Sequence, residues 1–151
     1  MSNLLTTVIM KTDWRDSTGR IRSLVEADLS VTLVEHKQLI LRITEQHGGR
    51  AVKGEGDAFW LVFPSVTAAA LAATAMQEEL RLAQAGKGDD RLAIRIAITL
   101  GDVLHQEHDI FGEAVNLTAR IEGVTPPDEI YLSPAAWLAS EVAVVLPPPR
   151  A

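Results

Sequence analysis

The segment AVKGEGDAFW, residues 51–60, combines a turn with charged residues that a turn does not require. Gly54 and Gly56 suit a tight turn, and the strand-forming residues on either side predict a β-hairpin. Lys53 ends the first predicted strand and Asp57 begins the second. Both side chains could therefore point into the same opening of a site next to the turn. Each residue alone also fits a structural role, because edge strands favour lysine and turns tolerate aspartate.

A second candidate carboxylate is Asp13, in the polar segment 11–18 (KTDWRDST) that follows the apolar run 4–10. The run is rich in Thr, Val and Ile, which predicts a buried strand that stops at the polar segment. A strand that runs into a polar loop with two aspartates is a place where chemistry can occur. Helix capping is the structural alternative for Asp13.

The segment GEAVNLTARIE, residues 112–122, predicts a short helix that ends at Gly123. Asn116 and Arg120 are four residues apart, so they project from one face of this helix. The structural alternative is a solvated helix face.

The composition restricts the class of protein. With 151 residues, 47% hydrophobic and 23% charged, the chain fits one compact domain. The net charge of −6 argues against a nucleic-acid partner, and the absence of cysteine excludes disulfides, thiolate nucleophiles and Cys-ligated zinc. No apolar run is long enough to cross a membrane and no secretory signal opens the sequence, so we expect a cytoplasmic protein.

The remaining pattern predicts an α+β protein in the order β, α, β, β, α, β, followed by further elements. We expect one helix over 19–47, or two with a break near Ser30, ended by Gly48 and Gly49. A second helix begins after Ser65, and a strand over 91–99 ends where Gly101 turns the chain. Further along we expect a strand at 130–133 and a helix capped by Ser133 before Pro134. The helices are expected on one face of the sheet.

Four separated segments resemble the catalytic domain of class III nucleotidyl cyclases, the adenylate and guanylate cyclases. They are TDWRDST, HGGRAVKGEGDAFWLVF, IRIAITLGDV and DIFGEAVNLTARIE, in the family's order over about residues 7–136. The resemblance implies a ferredoxin-like βαββαβ core sandwich, the nucleotide cyclase fold. It also implies that residues 1–146 form a cyclase domain lacking the final strands, followed by a proline-rich tail or linker at 147–151.

The resemblance also implies roles for the charged residues. Cyclisation requires the ribose 3′-hydroxyl to attack the α-phosphorus in line while pyrophosphate leaves, with two divalent metal ions, Mg²⁺ or Mn²⁺, bridging oxygens. Asp13 and Asp57 match the metal-binding aspartates of the family. Asn116 and Arg120 match the residues that orient the ribose and stabilise negative charge on the phosphates.

Lys53 and Asp109 match the two residues that read the purine. By the same resemblance, adenylate cyclases have Lys at the position of Lys53, and guanylate cyclases have Glu there. A lysine donates hydrogen bonds to ring-nitrogen acceptors of adenine, and a carboxylate accepts from its amino group, so the pair favours ATP. By this resemblance, the metal aspartates and the other four residues of each site come from different subunits. One chain contains all six, so a homodimer could form two sites, and a heterodimer with another cyclase domain could also form.

The sequence departs from the family in two places, and the second of them, together with the expected loss of the final strands, keeps a second interpretation open. Asp16 stands where the family often has glycine, and the last lysine is Lys87, whereas family members usually carry a triphosphate-binding lysine on later strands. The alternative to an active enzyme is a silent cyclase-like module. Such a module would bind nucleotide or dimerise to regulate other domains of a longer protein.

Overall fold

A computed structural model describes residues 3–15, 26–88 and 91–140, with side chains from Asn3 to Trp14 and from Val31 onward. The elements in chain order are β1 Asn3–Arg15, α1 Glu26–Gln46, β2 Arg50–Glu55, β3 Ala58–Phe63, α2 Val66–Ala83, β4 Ala93–Gln106, β5 Asp109–Phe111, α3 Glu113–Val124, β6 Ile130–Leu132 and α4 Pro134–Ala139. Three predictions concern residues outside these ranges. They are the tail at 147–151, the absence of final strands and the start of the first helix at residue 19.

The sheet has the strand order β2-β3-β1-β4-β5, and β6 adds to β4. The pairs β2–β3, β3–β1 and β1–β4 are antiparallel, whereas β6 runs parallel to β4. The first six elements therefore have the order and strand arrangement of a ferredoxin-like βαββαβ core. This part of the predicted fold is confirmed.

The first strand is longer than the sequence pattern indicates. β1 continues to Arg15 and pairs with β4 along its whole length, from Asn3 opposite His105 to Arg15 opposite Ala93. The prediction that the strand stops at the polar segment is therefore wrong, because backbone pairing with β4 continues through these polar positions. As a result, Asp13 lies within a strand and opposite Arg95, rather than in a loop.

Gly101 does not turn the chain as predicted. β4 continues through it to Gln106, and the turn follows at Glu107, which has a positive φ of 55°. The glycine has a packing reason instead, since a Cβ at this position would lie 2.8 Å from the Cβ of Ala114 on α3. Gly101 therefore permits the close approach of α3 to the sheet.

The predicted helix ends are largely confirmed. The Ser65 side chain accepts a hydrogen bond from the Ala68 amide at 3.0 Å, and Ser133 caps α4 in the same way. Gly48 has a φ of 77° at the end of α1, where only a residue without Cβ is unstrained. α1 is one continuous helix with no break near Ser30, and α3 ends one residue beyond Gly123.

Helices cover both faces of the sheet, so the prediction of helices on one face is wrong. The main core packs α1, α2 and α4 against one face, with Met10, Leu61 and Ile96 fully buried. The residues that alternate with these point the other way, and α3 packs there against a smaller core of Ile9, Trp60, Val103 and Ile110. No helix in the described ranges is long and apolar enough to span a bilayer.

Candidate active site

Asp13 and Asp57 lie against each other at one end of the sheet. Because β1 pairs with β3 up to Thr12 opposite Phe59, the next residue of β1 reaches the turn that contains Asp57. Burial raises the pKa of Asp13, and the neighbouring charge of Asp57 and a hydrogen bond between the two carboxyls raise it further. Arg95, whose Nη2 lies 3.5 Å from Oδ2 of Asp13, opposes this shift, and so does a hydrogen bond between Asp13 and Glu122.

This pair of carboxylates has the chemistry of a Mg²⁺ or Mn²⁺ site. Two negative oxygen ligands side by side repel each other, and a divalent cation between them removes that repulsion. No cluster of three or more metal-ligating side chains occurs in the described ranges. Mg²⁺ is typically held by only one or two carboxylates together with water and substrate phosphates, so the two aspartates suffice for such a site.

A buried set of charges lies beside this pair, and we call Lys11, Arg95 and Glu122 the Glu122 network. The carboxylate of Glu122, on α3, is only 2% exposed. Its Oε1 lies 2.9 Å from Nζ of Lys11, and its Oε2 lies 2.9 Å from Nη2 of Arg95. The sequence interpretation missed all three residues. A signal was present, because Lys11 and Arg95 each interrupt an apolar strand at a position that faces α3.

Lys53 and Asp109 form a second cluster of charge. Nζ of Lys53 lies 2.9 Å from Oδ1 of Asp109 and 3.3 Å from Oε1 of Glu55. The hydrogen bond between Lys53 and Asp109 raises the pKa of the lysine and lowers the pKa of the aspartate. Each of the two side chains is 34% exposed, so solvent reaches the pair. Lys53 therefore pairs with a residue 56 positions away in the chain, while Asp57 pairs with Asp13.

The contact between Lys53 and Asp109 requires the sheet to curl. β2 and β5 lie at opposite ends of the strand order, yet their side chains meet over the face that carries α3. Ile110 of β5 packs there against Trp60, and Val52 of β2 joins the same apolar cluster. A polar cleft of about 160 Å³ lies beside the pair and is lined by residues that include Arg50, His105 and Glu107.

Asn116 and Arg120 lie on the outer face of α3, as the four-residue spacing predicts. Thr118 and Glu122 of the same helix face the sheet, where the hydroxyl of Thr118 lies 2.7 Å from that of Thr99. Asn116 and Arg120 are exposed, and their side chains have no ion pair with the part of the chain that the structure describes. The two residues are thus brought together on one surface, but without a recorded contact to Asp13 or Asp57.

His36 of α1 is buried under the Asp13 side of the sheet. It is 4% exposed, and its ring lies 5.2 Å from the ring of Trp14 and 5.9 Å from that of Phe59, between centroids. Burial lowers its pKa to about 4. Phe59, Trp60 and Phe63 are buried in the core as well.

Residues 7–143 match the family model described as the adenylate and guanylate cyclase catalytic domain. The chain belongs to this family. Among curated relatives, it is 32% identical over 132 residues to the serine/threonine-protein kinase pkn2 of Myxococcus xanthus, a match covering 87% of this cyclase domain and 16% of the kinase. It is 32% identical over 117 residues to an adenylate cyclase of Streptomyces griseus, covering 68% and 29% of the two chains. The cyclase domain thus spans less than a third of either relative.

Solved structures agree with the cyclase fold. An adenylate/guanylate cyclase/hydrolase from Silicibacter pomeroyi superposes with a TM-score of 0.85 at 26% identity, over 99% of this chain and 86% of that one. The adenylyl cyclase CyaB from P. aeruginosa superposes with a TM-score of 0.83 at 22% identity, over 96% and 84%. The predicted family and fold are confirmed.

Proposed function

We propose that this domain is an adenylate cyclase that converts ATP to cyclic AMP and pyrophosphate. The observation that carries the proposal is the contact of Lys53 with Asp109 at 2.9 Å. It holds a hydrogen-bond donor and an acceptor at one point, which complements the ring nitrogen and the amino group of adenine. Guanine presents a carbonyl oxygen where adenine has its amino group, so the carboxylate of Asp109 would repel it.

Asp13 and Asp57 would hold the divalent metal ions that the reaction needs. When bound, these ions neutralise charge on the triphosphate and lower the barrier for attack of the ribose 3′-hydroxyl on the α-phosphate. The two carboxylates would hold the ions at this end of the sheet. Their mutual repulsion in the free domain supports this assignment, because it favours binding of a cation.

Asn116 and Arg120 would act on the ribose and the phosphates. The amide of Asn116 would orient the ribose, and the guanidinium of Arg120 would stabilise negative charge that develops on the phosphates. Both side chains lie on the outer face of α3, which leaves them accessible to a second chain. We propose a homodimer, or a heterodimer with another cyclase domain, in which each site combines the metal aspartates of one chain with the remaining four residues of the other.

A silent cyclase-like module is the second candidate. The observation that favours it is the ion pair itself, since Lys53 and Asp109 satisfy each other's charge and adenine must separate or share this contact. Asp16 also departs from the family pattern. Such a module would bind nucleotide or dimerise, and regulate other domains of a longer cytoplasmic protein.

Cyclic AMP production by the purified domain tests the proposal. ATP and GTP are supplied in parallel with Mn²⁺ or Mg²⁺, and the products are separated by chromatography. We expect cyclic AMP from the natural sequence and none from Asp57→Asn. Glu55→Gln, in the exposed part of the same hairpin, is the matched control and should retain activity. A folded domain that binds ATP without forming product would support the silent module instead.

A further inference from the structure

The Glu122 network shares one cation with the candidate metal site. Nη2 of Arg95 lies 2.9 Å from Oε2 of Glu122 and 3.5 Å from Oδ2 of Asp13. The same nitrogen therefore stands between a buried structural carboxylate and a carboxylate that would bind metal. At present the shorter contact is to Glu122, so the arginine is held on the side of α3.

Lys11 supplies a second cation on the same face of β1, two residues before Asp13. Its Nζ lies 2.9 Å from Oε1 of Glu122 and 5.3 Å from the centre of the Trp60 ring. Each oxygen of Glu122 thus lies within ion-pair distance of a different cation, and among the described residues Oε1 accepts no hydrogen bond. Because Glu122 is 2% exposed, water cannot replace either partner.

The balance of charge in this region depends on Glu122. Lys11 and Arg95 carry two positive charges, and Asp13, Asp57 and Glu122 carry three negative ones when ionised, which leaves a net charge of −1. Without the charge of Glu122 the net charge would be zero. Nη2 of Arg95 would then have Asp13 as its nearest carboxylate, and it would compete with a divalent cation for that ligand.

We propose that Glu122 is a positioning residue that sets the metal affinity of the site by limiting Arg95 to a 3.5 Å contact with Asp13 and by balancing the charges of Lys11 and Arg95. This inference rests on the proposed function, specifically on Asp13 and Asp57 as metal ligands. It assigns to Glu122 an effect on metal binding that is separate from its support of α3. It also predicts that the affinity for Mn²⁺ rises as the summed charge of these residues becomes more negative. The residues are Lys11, Arg95, Asp13, Asp57 and Glu122.

The test is direct titration of Mn²⁺ alone, without nucleotide, measured by electron paramagnetic resonance at one pH on proteins whose folding is checked by circular dichroism. We expect Glu122→Gln to weaken Mn²⁺ binding at least about tenfold, because a positive charge near the cation is no longer balanced. Lys11→Met, which makes the region more negative, should tighten binding. The double variant Lys11→Met with Glu122→Gln restores the net charge and should recover an affinity within about threefold of the natural domain.

Glu113→Gln, an exposed acid in the first turn of α3, is the matched control and should leave Mn²⁺ affinity unchanged. Loss of a buried partner can unfold a domain. If Glu122→Gln does not fold, the tighter binding of Lys11→Met and the recovery in the double variant carry the test.

Two results would overturn the inference alone while Mn²⁺ binding still depends on Asp57. One is a folded Glu122→Gln with unchanged affinity, and the other is a double variant that binds as weakly as Glu122→Gln. Binding of Mn²⁺ that Asp57→Asn leaves unaltered, or no binding at all, would overturn the metal assignment and this inference together.

Discussion

The domain carries two clusters of functional charge that differ in how the fold treats them. Asp13 and Asp57 are two like charges side by side, and burial together with the charge of Asp57 raises the pKa of Asp13, so the folded chain disfavours the ionised form of Asp13. Lys53 and Asp109 are opposite charges near solvent, and each stabilises the ionised form of the other. The fold itself pairs Lys53 with Asp109, whereas Asp13 and Asp57 repel each other and would gain from a cation; we name the two clusters the purine side and the metal side after their proposed roles.

Asp13→Asn tests the metal side and should have the largest effect. Loss of one of two carboxylate ligands is expected to lower cyclic AMP production about 1000-fold. In metal-free buffer the same substitution should raise the melting temperature, because it removes a charge that the folded state disfavours. Asp102→Asn, an exposed carboxylate on β4, serves as the control for both measurements. A lower melting temperature for Asp13→Asn would contradict the comparison.

Lys53→Glu tests the purine side through nucleotide preference. The substitution replaces a donor with an acceptor beside Asp109, so the ratio of kcat/KM for ATP to that for GTP should fall about 100-fold. Initial rates with each nucleotide at saturating Mn²⁺ give this ratio. Glu55→Gln removes the other carboxylate near Lys53, at 3.3 Å, and should leave the ratio unchanged. An unchanged ratio in Lys53→Glu would remove this residue from adenine recognition.

The burial of His36 next to the metal side should make the free energy of unfolding depend on pH. Its pKa is about 4 in the folded domain against 6.5 for an ordinary histidine, so the unfolded chain binds the extra proton first as the pH falls. The part of the free energy of unfolding that depends on neutral His36 is fully present above pH 6.5 and is lost as the pH falls towards 4. Between pH 6.5 and pH 5 the loss is about 2 kcal/mol.

Urea unfolding of the natural domain and of His36→Leu across this range measures the effect. The slope of stability against pH should be shallower in the variant. His108→Gln, at an exposed turn, should retain the steeper slope. Equal slopes for the natural domain and His36→Leu would show that other groups govern this pH dependence.

Asp109→Asn should have the smallest effect on stability. Exposed ion pairs contribute less than about 1 kcal/mol, so the free energy of unfolding is expected to change little. Urea unfolding at low and at high salt should give nearly the same difference from the natural domain. A large loss of stability would mean that the curled end of the sheet depends on this ion pair rather than on the packing of Ile110 and Trp60.

The sequence predicted the features that depend on neighbouring residues. The caps at Ser65 and Ser133, the left-handed Gly48 and the shared face of Asn116 and Arg120 all follow from local geometry. The family resemblance supplied the ferredoxin-like core and the candidate residues, and the family and core are confirmed.

Features set by distant pairing could not be predicted in the same way. Gly101 resembles a turn residue in the sequence, but its role depends on the approach of Ala114. The Glu122 network joins three elements, so no spacing within one segment reveals it. For the same reason, the sequence predicted that Lys53 and Asp57 face one site along the hairpin, whereas the folded sheet gives each a different partner.

The unbroken pairing of β1 with β4 also bears on how the domain can move. β1 is bonded to β3 on one side and to β4 on the other, and such central strands open only when the whole domain unfolds. We therefore expect the amide hydrogens of residues 8–12, which lead into Asp13 and are paired on both sides, to exchange with solvent among the slowest in the chain. Any rearrangement that accompanies nucleotide entry would then fall to the edge strands β2 and β5. Asp13 and Asp57 would then stay in place, while Lys53 and Asp109 would move to admit the nucleotide.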